Sequence, residues 1–123
     1  MDDFQATKPI YMQLVERINH KIVRNELRAG EKLKSVRDMA VESGVNPNTV
    51  QRTYSELERM DIVETKRGQG TFVTEDEMKL NELRDSLKNE HISRFITQMA
   101  DMGFSKDETV KGLQDYIEQQ EVE

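Results

Sequence analysis

The residues that can do chemistry in this chain are polar and basic, and they gather at three places. The first is Asn46-Pro47-Asn48-Thr49-Val50-Gln51-Arg52. Asn46 is a strong helix N-cap type, and Pro47 suits the first helical position because its missing N–H would be unpaired there anyway. With Val50 and Tyr54 turned inward, Asn48, Thr49, Gln51 and Arg52 face out of the first turns. Asn and Gln pair bidentately with adenine, Arg with guanine or phosphate, and free N–H groups at a helix start favour phosphate. The second place is Lys66-Arg67-Gly68-Gln69-Gly70, two cations beside two glycines that allow a tight turn close to a phosphate chain. The third is Lys34, Ser35 and Arg37. Ser35, with Asp38 three residues on, reads as a helix cap, and Arg37 falls in the first turn behind it. Taken singly, each has an ordinary alternative: a cap with a solvated face, a hairpin turn, a surface arginine.

The elements that carry these residues settle their meaning together. Ile10, Leu14, Ile18 and Ile22 recur every four residues, which predicts an amphipathic helix from about Pro9 to Asn25, with Thr7 near its N-cap. His20 falls on its wet face and reads as a solvated helix residue rather than a ligand. Residues 26–34 form a loop turned at Gly30 and anchored by Leu27 and Leu33. A second helix starts at Ser35, buries Val36, Met39 and Ala40, and ends at Gly44. A third starts at Asn46, with Val45 stapled on Val50, and buries Val50, Tyr54, Leu57 and Met60. Only a few residues separate the two, the spacing of a helix-turn-helix. The β-rich runs 62–66 and 71–74 around a basic, Gly-containing tip predict a hairpin, the wing. A helix entering a major groove beside a basic wing binds double-stranded DNA.

Charge agrees once it is split by segment. The net charge is −6. Residues 1–74 hold 12 Lys and Arg against 11 Asp and Glu, and residues 75–123 hold 6 against 13. The acidity belongs to the C-terminal part, and phosphate needs only a locally positive face. The chain has no cysteine, which excludes disulfides, a thiol nucleophile and thiolate metal sites. Two histidines, no phosphate loop and no nucleophile elbow argue against an enzyme, and no cofactor or metal is implied. No apolar run is long enough to span a membrane, and the acidic start Met1-Asp2-Asp3-Phe4 is unlike a secretory signal, so a cytoplasmic protein is expected.

Beyond Glu75 a long polar helix carries Leu80, Leu83, Leu87, Ile92, Phe95, Ile96 and Met99, with the stripe interrupted around Asn89–His91, where a kink or change of face is expected. Gly103 stops it. Ser105-Lys106-Asp107-Glu108 forms a capping box for a last helix bearing Val110, Leu113, Tyr116 and Ile117. A two-helix tail cannot bury such a stripe alone. The stripe pairs with a second copy or lies on the head as a lid; C2 pairing, the commoner arrangement, would set two recognition helices about one DNA turn apart. The expected fold is mainly α with a small β-hairpin: a winged helix-turn-helix over 1–74, then a helical dimerisation hairpin over 75–123.

The runs Pro9-Ile10-Tyr11-Met12-Gln13-Leu14, Gly30-Glu31-Lys32-Leu33-Lys34-Ser35-Val36-Arg37-Asp38-Met39-Ala40, Gly44-Val45-Asn46-Pro47-Asn48-Thr49-Val50, Tyr54-Ser55-Glu56-Leu57-Glu58 and Arg67-Gly68-Gln69-Gly70-Thr71-Phe72-Val73 together resemble the DNA-binding domain of GntR-family bacterial regulators. The short tail is similar to that of YtrA-type members, whose helical tails pair two chains. The resemblance implies that Arg37, the start of the third helix and the wing around Arg67 and Gly68 hold operator DNA. It also implies a homodimeric repressor of a neighbouring transporter operon. Ala29-Gly30 and Leu33-Lys34-Ser35 depart from the Pro-Gly and Leu-Pro-Ser of many members, and Lys34 adds a phosphate contact. Asp61 stands near a position that is often glycine, which leaves the turn into the wing open. Nothing in the residues identifies a small-molecule effector. The alternative function is a winged-helix protein-interaction module, which would show apolar residues where Asn48, Gln51, Arg52, Ser55 and Arg59 stand.

Overall fold

The computed structural model describes residues 4–122; the acidic start at Met1–Asp3 lies outside them. Seven elements follow in order: α1 (Ile10–Val23), α2 (Val36–Ser43), α3 (Pro47–Arg59), β1 (Val63–Lys66), β2 (Gly70–Val73), α4 (Glu77–Asp101) and α5 (Lys106–Val122). By contacts the chain forms two compact units, Met1–Arg84 and Asp85–Glu123.

In the first unit α3 packs on both α1 and α2. The stripe on α1 is buried at Leu14, Val15, Ile18 and Ile22, and it meets Val50, Tyr54 and Leu57 of α3 in the core. Val50 and Leu57 are fully enclosed, each contributing about 1.5–3 kcal/mol by leaving water. Thr53 is buried between them because its hydroxyl donates to Thr49 O at 2.8 Å, so the polar group costs little there.

Helix ends follow local chemistry. α1 stops at Val23, two residues before the expected Asn25, because Asn25 is left-handed (φ 64). Asn25 N–H then donates to Ile22 O and Glu26 N–H to Lys21 O, the paired bonds of a Schellman close. At its other end Pro9, not Thr7, occupies the cap position, and no side chain caps the helix. Gly44 (φ 69) closes α2, and three residues, Gly44 to Asn46, make the turn to α3. Asp61 resolves the turn into the wing. It takes φ 63 itself, with Asp61 N–H on Glu58 O and Ile62 N–H on Leu57 O, doing the work of the absent glycine.

The hairpin β1–β2 is antiparallel, with Val63 opposite Val73 and Lys66 opposite Gly70. Its second strand begins at Gly70, one residue earlier than the periodicity suggests. The loop before α2 is more ordered than expected. Gly30 N–H donates to Val73 O, Val73 N–H to Glu31 O and Leu33 N–H to Thr71 O, and Lys32 bridges to Phe72. Residues 31–33 therefore act as a third edge on β2. Leu33 is buried there, while Leu27 is half-buried.

α4 is capped by Asp76, whose Oδ1 accepts from Met78 N–H at 3.0 Å. The helix runs unbroken through Asn89–His91, where the interrupted stripe suggests a kink or a change of face. Its first turns belong to the head: Leu83 is buried within that unit, and Arg84 Nη1 donates to Val23 O at 2.6 Å. The head thus extends past the expected boundary at 74. Leu80 and Leu83, expected in the pairing stripe, lie within it.

The second unit holds the rest of α4 and α5. Gly103 (φ 91) ends α4, with Phe104 N–H on Met99 O. The capping box forms as the spacing predicts, Glu108 N–H on Ser105 Oγ at 3.1 Å and Ser105 N–H on Glu108 Oε1 at 3.0 Å. Among the described residues the two helices are not packed along their lengths. Ile92, Ile96, Val110, Leu113 and Ile117 are exposed, and Leu87, Phe95 and Met99 half-buried. No helix among the described residues is long and apolar enough to cross a membrane.

Candidate nucleic-acid interface

Two helix starts and a hairpin tip carry the predicted residues. At α2, Ser35 Oγ accepts from Asp38 N–H at 3.1 Å, which leaves Arg37 exposed in a first turn with no ion-pair partner among the described residues. Lys34 is engaged: its ammonium meets Glu42. Both side chains are about half exposed, so the pair is weak. The Lys34 backbone does something the sequence did not reveal. Its carbonyl accepts from Tyr54 Oη at 2.7 Å, tying the approach to α2 onto α3. Burial pushes the Tyr54 phenol up to about 12, so the donor keeps its proton.

At α3, Asn46 Oδ1 accepts from Asn48 N–H at 2.7 Å. Asn46 Oδ1 is thereby engaged as the cap. Pro47, Asn48, Gln51 and Arg52 are exposed and Thr49 is half-buried. Arg52 does not hang free. Its guanidinium lies 3.9 Å over the Tyr11 ring, so α1 pre-positions it. Further along the same face Arg59 is taken up by Glu56. The hydrogen bond from Arg59 holds the Glu56 carboxyl below its usual range, and the reciprocal bond raises Arg59. The positive charge on α3 is therefore concentrated near its start.

The wing turns through Arg67-Gly68-Gln69, closed by Gln69 N–H on Lys66 O at 2.9 Å. Gly68 takes φ 76, the sign required of the third residue in a type II turn. Arg67, Gly68 and Gln69 are exposed and Gly70 half-buried. Lys66 Nζ sits 4.8 Å above the Phe72 ring. No cluster of three or more His, Asp or Glu able to hold a metal occurs among the described residues.

Tyr11 and Tyr54 are the neighbours of the candidate site that sequence reasoning missed. The sequence places Tyr54 in the core only, and an inward tyrosine needs a hydroxyl partner, which is the available signal. Tyr11 has none, because its partner is 41 positions away.

A three-helix head with a capped helix-turn-helix and a basic, glycine-turned wing defines a winged-helix DNA-binding protein. Residues 10–73 match the gntR family of bacterial regulatory proteins, and the chain belongs to that family. It is 49% identical over 117 residues to the uncharacterized HTH-type transcriptional regulator YhcF of Bacillus subtilis (strain 168), covering 95% of this chain and 97% of the relative. It is 37% identical over 92 residues to the HTH-type transcriptional repressor YtrA of the same strain, covering 70% and 71%. A GntR family transcriptional regulator from Listeria monocytogenes superposes with a TM-score of 0.87 at 38% identity, over 91% of this chain and 98% of that one. The chain is thus a DNA-binding transcription regulator, and its relatives are regulators rather than enzymes.

Proposed function

We propose that the protein is a cytoplasmic repressor that binds a palindromic operator as a homodimer. The observation that carries the DNA assignment is the exposed start of α3, where Asn48, Gln51 and a pre-positioned Arg52 stand clear of the core. Gln51 and Asn48 offer base contacts, while Arg37, Arg52 and Arg67 offer phosphate or guanine contacts. The name of the relative YtrA, a repressor, supports the direction of control. Pairing is assigned to residues 85–122, where Ile92, Ile96, Val110, Leu113 and Ile117 are exposed and α4 and α5 do not cover one another. A second copy buries that surface and places two recognition helices on two half-sites.

The test is a gel shift on DNA upstream of the gene, at two salt concentrations. Specific binding should survive an excess of unrelated duplex. Gln51→Ala should cost about 1–3 kcal/mol, or roughly tenfold to a hundredfold in affinity, on the operator only. Arg67→Ala should weaken all duplexes. If only salt-sensitive, sequence-blind binding remains in the native protein, the operator assignment fails. In sedimentation the full chain should be a dimer and Ile96→Glu/Leu113→Glu a monomer; a dimeric double variant would remove pairing from the tail.

A further inference from the structure

Lys32 sits outside every motif that defines the DNA face, yet it is built into the wing. Its backbone bridges to Phe72 on the free side of β2, opposite the side on which β1 pairs. Residues on adjacent strands in register share a face, and so do alternate residues along one strand. Lys32, Glu64, Lys66, Gly70 and Phe72 therefore all belong to one face of the three-edged sheet. On that face Gly70 supplies no side chain. A Cβ there would stand 2.7 Å from Lys32 Cε and 3.5 Å from Lys32 Nζ. The lysine stem lies over β2 in the space that glycine leaves, and Lys66 stands opposite Gly70 on the far strand. Lys66 Nζ lies 4.8 Å from the centre of the Phe72 ring on that same face. Glu64 is the carboxylate of this face, and no ion pair among the described residues joins it to either lysine.

We propose that Lys32 is a third phosphate-binding cation of the wing, seated across Gly70 so that its ammonium joins Lys66 at the root of the tip that carries Arg67. The occupant is the backbone phosphate of double-stranded DNA, because two lysine ammonium groups beside Arg67 place point charges where a run of phosphates can meet them, and phosphate contacts position a protein on any duplex. The assignment rests on the proposed DNA-binding role. It gives Gly70 two tasks: a backbone at φ 124, and the empty space that admits Lys32.

The experiment compares the salt dependence of duplex binding for the full chain and its variants. The probes are the upstream DNA and a scrambled duplex of equal length. Lys32→Met keeps the stem over Gly70 and removes only the charge. Each lost phosphate contact flattens the slope of log affinity against log salt by about 0.9. For a dimer the fall in affinity between 50 and 200 mM salt should therefore shrink by about tenfold, equally on both duplexes. Lys32→Arg should retain the native slope, and Lys106→Ala in the second unit should leave it unchanged. A native slope in Lys32→Met, with a flattened one in Arg67→Ala, overturns the role of Lys32 and leaves the wing as a DNA contact. Weaker binding at unchanged slope makes Lys32 a packing residue, and equal flattening by Lys106→Ala makes the effect one of overall charge; either overturns the proposal. Failure of the native chain to bind any duplex removes both the proposal and the DNA reading it rests on.

Discussion

Replacing Tyr54 by phenylalanine removes one hydroxyl from the joint between the two helices of the helix-turn-helix. The ring is 4% exposed, and phenylalanine keeps its packing on α1 and α2. What is lost is the bond from Tyr54 Oη to Lys34 O at 2.7 Å. A typical bond of this kind contributes about 1 kcal/mol net, and a carbonyl left dry would add about 1–3 kcal/mol. The bond is only partly buried, and the expected loss is about 1 kcal/mol. For a unit of this size that lowers Tm by about 4–8 °C. Urea unfolding followed by circular dichroism measures it. The alkaline limb gives a second reading. Burial raises the phenol from 10 to about 12. The unfolded chain thus releases this proton from pH 10 upward while the folded one holds it until about 12. Its contribution is fully present below pH 10 and is lost as pH rises toward 12. Tyr54→Phe has no such limb, so the gap between native protein and variant should narrow over that interval. A variant as stable as the native protein at neutral pH refutes the bond's role, and a gap that stays constant to pH 12 refutes the raised phenol.

Two further substitutions probe the scaffold behind the interface. Gln13→Ala removes three bonds that hold the segment before α1: Nε2 to Gln5 O at 2.7 Å and to Lys8 O at 2.8 Å, and Gln5 N–H to Oε1 at 2.8 Å. A loss of about 2 kcal/mol in urea unfolding is expected, with faster proteolysis around residues 5–8, and unchanged cleavage there would contradict the clamp. Asp61→Gly relieves a left-handed aspartate at the expense of an exposed ion pair with Lys79 at 3.5 Å and some chain entropy. A net gain of about 0.5 kcal/mol is expected, and a loss in thermal unfolding would show that the ion pair outweighs the backbone term.

The head was largely legible because its signals are local. A cap bonds two or three residues onward, so Asn46 with Pro47 and Ser105 with Glu108 announce helix starts from spacing alone, and all form. Gly44 and Gly103 announce ends in the same way, since only a residue tolerant of positive φ closes a helix there. Asn25 and Asp61 do the same work less visibly, which is why α1 ends sooner than its apolar period suggests and why the turn into the wing stayed open. The stripes on α1 and α3 fixed which faces turn inward, and hence that Asn48, Gln51 and Arg52 turn outward. What spacing could not supply were contacts between distant segments. Arg52 finds Tyr11, Tyr54 finds Lys34 O, and Lys32 lies over Gly70. Leu83, whose helical period suits a pairing stripe equally well, turns out to be buried in the head. Periodicity tells a side chain which face of its own helix it is on, but not what lies opposite. That is decided only when the chain closes, because the partner, its distance and the water it excludes exist only in the packed structure.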